Sequence, residues 1–289
     1  MALFIAGCGV YEGSFTRELL EVLDVADVVY VDLYTMPESS WVLVALERWR
    51  DKVRVASREL LEGMSKAVVD EAMGRNVVIV SAGDPLVATT HASLLAEAQG
   101  RGVEVRYIPG VSGVCTAKAY SGLSYYRFGR MATVPGPWRG LKPYSVLATI
   151  YANLCIDAHT LLLLDVSEDG SQLSPTDAAL RLIEVEAELS ETLGTRALLS
   201  LTPVIVVERA GTPEARLVAF DSFESLSTAE ERFRTPSSLV IPAPLNPTER
   251  WVLESRLKRA LGATWSRRAY GRSECCEYYE KTLRWLSEG

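Results

Sequence analysis

The first 110 residues alternate short apolar, β-rich runs with longer stretches of helical spacing. Leu3–Ala6, Val28–Leu33, Val53–Ala56, Val77–Ser81 and Val103–Ile108 predict strands, and Phe15–Val25, Ser39–Trp49, Glu59–Arg75 and Leu86–Gln99 predict the helices between them. Strands separated by helices need crossover connections, so their sheet is mostly parallel. Several of these strands are apolar at successive positions, as a sheet covered by helices on both faces requires. The segment Ser121–Gly129, with its glycines and aromatics, breaks the alternation and marks a boundary. Beyond it, apolar runs at Met131–Val134, Thr160–Val166, Val204–Glu208, Arg216–Phe220 and Ser238–Ile241 mix with helical patterns at Tyr144–Asp157, Pro175–Leu189 and Pro247–Leu261. Only AGTPEA joins the third run to the fourth, which predicts a hairpin and a mixed sheet. The pattern thus predicts an α/β chain with domains over 1–124 and 125–261 and an appended helical tail over 262–289.

With 48% hydrophobic and 23% charged residues, the 289-residue chain has the means to bury a core, which excludes disorder. The longest charge-free runs, 143–156 and 235–248, are shorter than the roughly 20 residues a membrane span needs, so no membrane segment is expected. MALFIAGCG carries no basic leader and predicts no secretory signal. A net charge of −7 makes the whole chain a poor polyanion binder, and no direct nucleic-acid binding is expected. Five scattered cysteines without a CxxC pair, and only His91 and His159 beside them, predict no metal site. Cys275 and Cys276 read as ordinary tail residues, with oxidation of the adjacent thiols as the alternative, and a reducing cytoplasm as the compartment. The tail's basic run, Arg256, Lys258, Arg259, Arg267, Arg268 and Arg272, reads first as a solvated helix face and second as a docking surface for an acidic or nucleic-acid-bearing partner.

Three small-residue turns are candidates for chemistry. AGCGVYEG, with Gly7, Gly9 and Gly13, follows the first strand, and Asp32 ends the second, near where a dinucleotide-binding fold keeps its ribose-binding acid. The spacing is GxGxxxG, however, and tight turn packing accounts for it as well as ligand binding does. In SAGDPLVATTH, Asp84 and Pro85 predict a capped helix start, which would offer amide donors and a carboxylate to a small ligand. PGVSGVCT, from Pro109, again sets small residues between a strand and a helix. The three turns should converge on one sheet edge, which favours a binding site there. His159 reads as the residue that starts a strand, His91 as a packing or capping residue.

Together, GCGVYEG, SAGDPLVATTHASL, PGVSG, SYYRFGRMATVP, HTLLLLD and ERAG resemble the diphthine synthases of the tetrapyrrole-methylase superfamily, from Ala2 to about Leu261. The resemblance implies a two-domain tetrapyrrole-methylase-like fold and a homodimer. It also implies S-adenosylmethionine folded into the interdomain cleft and released as S-adenosylhomocysteine. The implied reaction is repeated methylation of the amino group of an aminocarboxypropyl-modified histidine on translation elongation factor 2, forming diphthine in diphthamide biosynthesis. The implied cofactor contacts fall on Val10, Asp84, Val87, Ser112, Gly113, Leu164, Ala210 and Ser237, and no catalytic base is implied. The sequence departs from the family pattern at Val10 (leucine), Gly113 (a bulky residue), Ser237 (histidine) and Glu208 (a small residue). Asp32 is a candidate for attracting the cationic product. The rival readings are a superfamily methylase acting on a corrinoid, a porphyrin or ribosomal RNA, a nicotinamide dehydrogenase, and a regulator that binds the cofactor without transferring a group.

Overall fold

A computed structural model describes residues 1–36, 39–167 and 169–288. The chain divides into two compact units. The first holds Met1–Thr116, with residues 169–170 and Gly211–Pro213, and the second holds Ala117–Ser167, Ser171–Ala210 and the chain from Glu214 onward. Among the described residues no helix is long and apolar enough to cross a membrane.

The first unit is built on β1 (Ala2–Gly7), β2 (Val28–Asp32), β3 (Val53–Ala56), β4 (Val77–Ser81) and β5 (Glu104–Ile108). All neighbours pair in parallel, in the order β3-β2-β4-β1-β5. Alternate side chains of each strand serve opposite faces. Phe4, Val29, Val31, Val78 and Val80 pack with residues of α1 (Arg17–Val25) and α2 (Trp41–Ala45). Leu3, Ile5, Val77 and Ile79 pack with α3 (Ser65–Ala72) and α4 (His91–Gly100) on the other. The helix α5 (Gly113–Tyr120) follows β5. The parallel sheet with both faces covered matches the sequence pattern.

The second unit holds a mixed sheet of β6 (Ala132–Val134), β7 (Thr160–Leu164), β8 (Val204–Glu208), β9 (Arg216–Phe220) and β10 (Ser237–Ile241), in the order β6-β7-β10-β8-β9. β6 and β7 are parallel, the remaining pairs antiparallel, and β8–β9 is the expected hairpin. The core joins Val134, Leu162, Leu164, Val206 and Leu239 to α6 (Tyr144–Cys155), α7 (Pro175–Leu193) and α8 (Phe223–Ser227), while α9 (Pro247–Leu257) follows β10. His159, where β7 begins, is fully buried. Its Nδ1 accepts from the Ala243 amide at 2.8 Å, so Nε2 carries the proton toward Glu249 Oε1 at 3.0 Å. Burial lowers the His159 pKa, and Glu249 only partly opposes it.

The tail is not free-standing. α10 (Arg272–Glu288) lies along α6, with Cys275 and Tyr278 inside the core of the second unit. A disulfide joins Cys276 to Cys155 at the end of α6, which corrects the reading of Cys276 as an ordinary tail thiol. Consecutive helical residues point about 100° apart, so Cys275 faces the core while Cys276 faces α6. Burial pushes the Cys275 thiol up to about 11. Cysteine usage therefore no longer argues for a reducing compartment. Four of the six cations of the basic run also bond to the fold. Arg268 and Arg272 donate to the carbonyls of Leu154 and Cys155 at the end of α6, Arg256 to Tyr120 at the end of α5, and Arg259 to Ala219 in β9.

Two outcomes follow. The disulfide closes a sequence separation of 121 residues, so reduction, or Cys276→Ser, lowers unfolding free energy by about 2–5 kcal/mol. Urea midpoints with and without a reductant measure this, and the variant should no longer respond to the reductant. The fold keeps His159 neutral, so the unfolded chain takes up a proton there below the ordinary value of 6.5 that the folded chain refuses. Stability from this group is present above pH 6.5 and is lost as pH falls through it, and in midpoints taken across that range His159→Gln flattens the slope.

Candidate active site

Because β4, β1 and β5 are neighbours, the turns that leave them are neighbours too. They meet backbone to backbone through glycine. A Cβ on Gly110 would lie 2.1 Å from the Gly83 carbonyl oxygen, and one on Gly7 would lie 2.5 Å from the same atom. Gly9 and Gly83 exchange two backbone hydrogen bonds, at 3.1 and 2.7 Å, with Gly83 at φ 75°, a conformation that favours glycine. The expected convergence of three turns is present in the first unit. It brings together Val10, Asp84, Val87, Ser112 and Gly113. Val10, Asp84 and Ser112 are buried, Val87 and Gly113 half-buried, and the Ser112 hydroxyl accepts from the Cys115 amide at the start of α5. The first-turn amides of that helix have no carbonyl partner within the helix.

Asp84 does not cap a helix, which corrects the sequence reading. α4 begins at His91, and Ala88 at φ 59° interrupts the segment in which the helix was expected. The carboxylate is committed elsewhere. Oδ1 accepts from the Leu86 amide at 3.0 Å, and Oδ2 from the Tyr107 hydroxyl at 2.5 Å and the Gly110 amide at 3.2 Å. Asp84 thus ties its own loop to the turn after β5, and burial with the neighbouring carboxylate pushes the Tyr107 phenol up to about 12. Tyr107 carries no motif and was missed in the sequence, although an aromatic one residue before the end of a strand beside two glycine turns is a usable signal.

Asp32 is fully buried and accepts from the Tyr34 and Thr35 amides and from the Thr35 hydroxyl at 2.9 Å, so it does not present a free carboxylate to a cationic product. Burial raises its pKa, against the opposing charge of His91. The strand order, with β4 between β2 and β1, differs from the 3-2-1-4-5-6 order of a dinucleotide-binding domain. Only a three-residue 3-10 turn, Glu12–Ser14, follows Gly7 and Gly9, and α1 starts at Arg17, so no α-helix N-terminus opens directly on that pair of glycines. Both findings remove the support for a nicotinamide dehydrogenase.

In the second unit, Leu164 ends β7, Ser237 starts β10, and Ser237 is paired with Glu208 at the end of β8. Gln172 binds two of these ends together. Its Oε1 accepts from the Ser237 amide at 2.8 Å and its Nε2 donates to the Ser237 carbonyl at 3.1 Å and the Leu164 carbonyl at 3.4 Å. The Arg209 amide donates to the Pro236 carbonyl at 2.8 Å, which keeps Ala210 at the same edge. Leu164, Ala210 and Ser237 therefore share one sheet edge. Gln172 lay in a polar loop without periodicity, and nothing in the sequence singled it out.

The family profile of tetrapyrrole (corrin/porphyrin) methylases matches residues 2–224. The diphthine synthase of Aeropyrum pernix is 46% identical over 255 residues, 88% of this chain and 86% of that protein. The chain belongs to the tetrapyrrole methylase family, in its diphthine synthase branch. The diphthine synthase of Methanopyrus kandleri is 38% identical, over 83% of this chain and 90% of that protein. A solved diphthine synthase structure superposes on this methylase with a TM-score of 0.80 at 30% identity, covering 92% of this chain and 99% of the other. A conserved hypothetical protein of Aeropyrum pernix K1 gives 0.87 at 42%, covering 99% and 98%.

The glycine contact gives a direct test. In this methylase Gly110→Ala forces the Gly83 carbonyl away, an overpacking cost of about 1–3 kcal/mol, and spreads the three turns. Thermal unfolding should show that loss, whereas Gly74→Ala, whose Cβ meets nothing within 4 Å, should not.

Proposed function

We propose that this chain is an S-adenosylmethionine-dependent N-methyltransferase that methylates, repeatedly, the amino group of the aminocarboxypropyl-modified histidine of translation elongation factor 2, yielding diphthine. The observation that carries the reading is the 46% identity to a diphthine synthase over 88% of the chain, together with the glycine-built convergence of turns in the first unit. The cofactor positions we propose are Val10, Asp84, Val87, Ser112 and Gly113 in the first unit and Leu164, Ala210 and Ser237 in the second.

The residues suit this group. Backbone amides and carbonyls exposed by glycine suit an amino-acid moiety and a nucleoside, and Val10 and Val87 supply apolar surface. When bound, S-adenosylmethionine supplies a sulfonium methyl group and an uncharged thioether leaving group. An amine acceptor must then be neutral, aligned and dry. Orientation alone contributes on the order of 7–11 kcal/mol to such a displacement. The chain's part is accordingly rigid placement. Asp84 braces its loop through Tyr107 and Gly110, and Gln172 fixes Leu164 and Ser237. Family departures at Val10, Gly113 and Ser237 are tolerable where contact is made by backbone atoms, and a Cβ on Gly113 would meet only Val10, at 3.8 Å. A substrate that works on ribosomes supports a cytoplasmic location, and the family resemblance supports a homodimer.

The test is incubation with labelled S-adenosylmethionine and elongation factor 2 carrying the aminocarboxypropyl-histidine, read by mass spectrometry. Mass gains in methyl steps on that one peptide are expected, the highest step giving the number of methyl groups. Cofactor binding with no gain on that peptide would overturn the assigned acceptor. Tyr107→Phe, which removes one support of Asp84, should raise the KM for S-adenosylmethionine more than it lowers kcat in the same assay.

A further inference from the structure

The loop from Gly83 to Thr90 carries two of the proposed cofactor positions, and Asp84 holds only its leading end. Between Pro85 and Thr90 the backbone is irregular, with Ala88 in the left-handed region. At the far end stands His91, the first residue of α4, whose side chain is 1% exposed. Its Nδ1 lies 3.2 Å from the Pro85 carbonyl and 3.4 Å from the Ser81 hydroxyl, and its Nε2 faces Asp32 Oδ2 at 3.5 Å with no hydrogen-bond partner. Asp32 is itself 0% exposed and anchored by the amides that follow β2. The imidazole therefore spans from the Pro85 carbonyl inside the loop to a carboxylate fixed on the neighbouring strand.

The protonation pattern follows from the acceptors. The Pro85 carbonyl can only accept, so Nδ1 donates to it. A deprotonated Nε2 would then turn a lone pair toward the Asp32 carboxylate, whereas a proton held between the two groups joins them. An orphaned nitrogen in a fully buried position is costly, and drawing His91 toward Asp32 removes that cost.

We propose that Asp32 and His91 are a positioning pair whose close buried approach sets the place of the Gly83–Thr90 loop and thereby the affinity of this enzyme for its methyl-donor cofactor. The inference rests on the cofactor reading above and deepens it by assigning to two buried residues a role in binding without contact. A pair that holds the loop in its binding-competent form raises affinity by the inverse of the fraction otherwise competent. Its loss shows in KM and in binding rather than in kcat.

The experiment uses the full chain and two readouts. Titration calorimetry with S-adenosylhomocysteine gives the dissociation constant, and hydrogen exchange of the protein alone follows the amides of 83–91. His91→Ala and Asp32→Ala should each weaken binding by about tenfold, if the freed loop is competent about one-tenth of the time, and should speed exchange across that segment. His91→Gln and Asp32→Asn keep polar groups that can bond across the pair and should restore most of the affinity. Leu94→Ala, one turn further along α4 in the core, destabilises the same helix without touching the pair and should bind as the wild type does. The proposal is overturned if the alanine variants bind normally, if Leu94→Ala weakens binding equally, or if Gln and Asn restore nothing. A wild-type protein that binds no S-adenosylhomocysteine overturns the cofactor reading and the affinity half of this proposal, while the exchange measurements still decide whether the pair holds the loop.

Discussion

The carbonyl oxygen of Gly83 occupies the space in which side chains on Gly7 and Gly110 would stand. That contact sets the geometry of the first unit. Parallel strands at a normal spacing bring three successive turns to one sheet edge, but the turns close on each other only where no side chain intervenes. Once they close, the backbone bonds between Gly9 and Gly83 form, and the Asp84 carboxylate comes within reach of the Gly110 amide. Dispersion contacts between flat peptide groups replace the side-chain packing these positions lack. The site so formed is made of backbone, and its glycines have no side chains to order. Such a site binds without first having to order flexible side chains.

The second unit meets a different constraint, the burial of acids. Glu208, at the end of β8, is 1% exposed and its charge is balanced by neighbouring donors. Its cross-strand partner Arg216 donates to it, as does the Arg234 amide. Glu186, fully buried in α7, accepts from Tyr151 and from the amides of Leu198 and Leu199. Glu249 accepts from His159, Arg127 and the amides of Ser124 and Asn246. Desolvation acts to raise the pKa of Glu249, yet these donors outweigh it and its pKa falls, while at Glu186 desolvation prevails. In each case removing one partner is costlier than the pair's net contribution, because a charge is left in a dry place.

Legibility followed the range of the forces involved. Strand positions such as Val77–Ser81 were readable because burial on both faces demands an unbroken apolar run, and the β8–β9 hairpin because its loop is short. The candidate edge was readable from glycines, whose value lies in what they lack. The start of α4 was not. Asp84 and Pro85 form a sound helix start by local rules, but the nearby Tyr107 and Gly110 claim the carboxylate, and they are distant in sequence. Gln172 was invisible for the same reason. An amide that bridges two strand ends has no periodic signature, since its partners at 164 and 237 are set by sheet order rather than by spacing.

The tail shows how composition can mislead when charge is read apart from the backbone. A run of cations without acids suggests either a solvated face or a surface for an anionic partner. Yet the last carbonyls of a helix carry partial negative charge and have no partner within it. Arg268 and Arg272 supply donors to the end of α6, and Arg256 to the end of α5, while Arg259 satisfies a carbonyl of β9. Four of the run's six cations thus donate to carbonyls, and the acid that Arg268 and Arg272 also meet, Asp157, is distant in sequence. The same two carbonyl contacts on α6 lie beside the Cys155–Cys276 bond, so hydrogen bonds and the covalent link hold one helix end from both sides. Through these contacts to α5, α6 and β9 four of the cations tie the tail to the second unit, while Lys258 and Arg267 stand exposed.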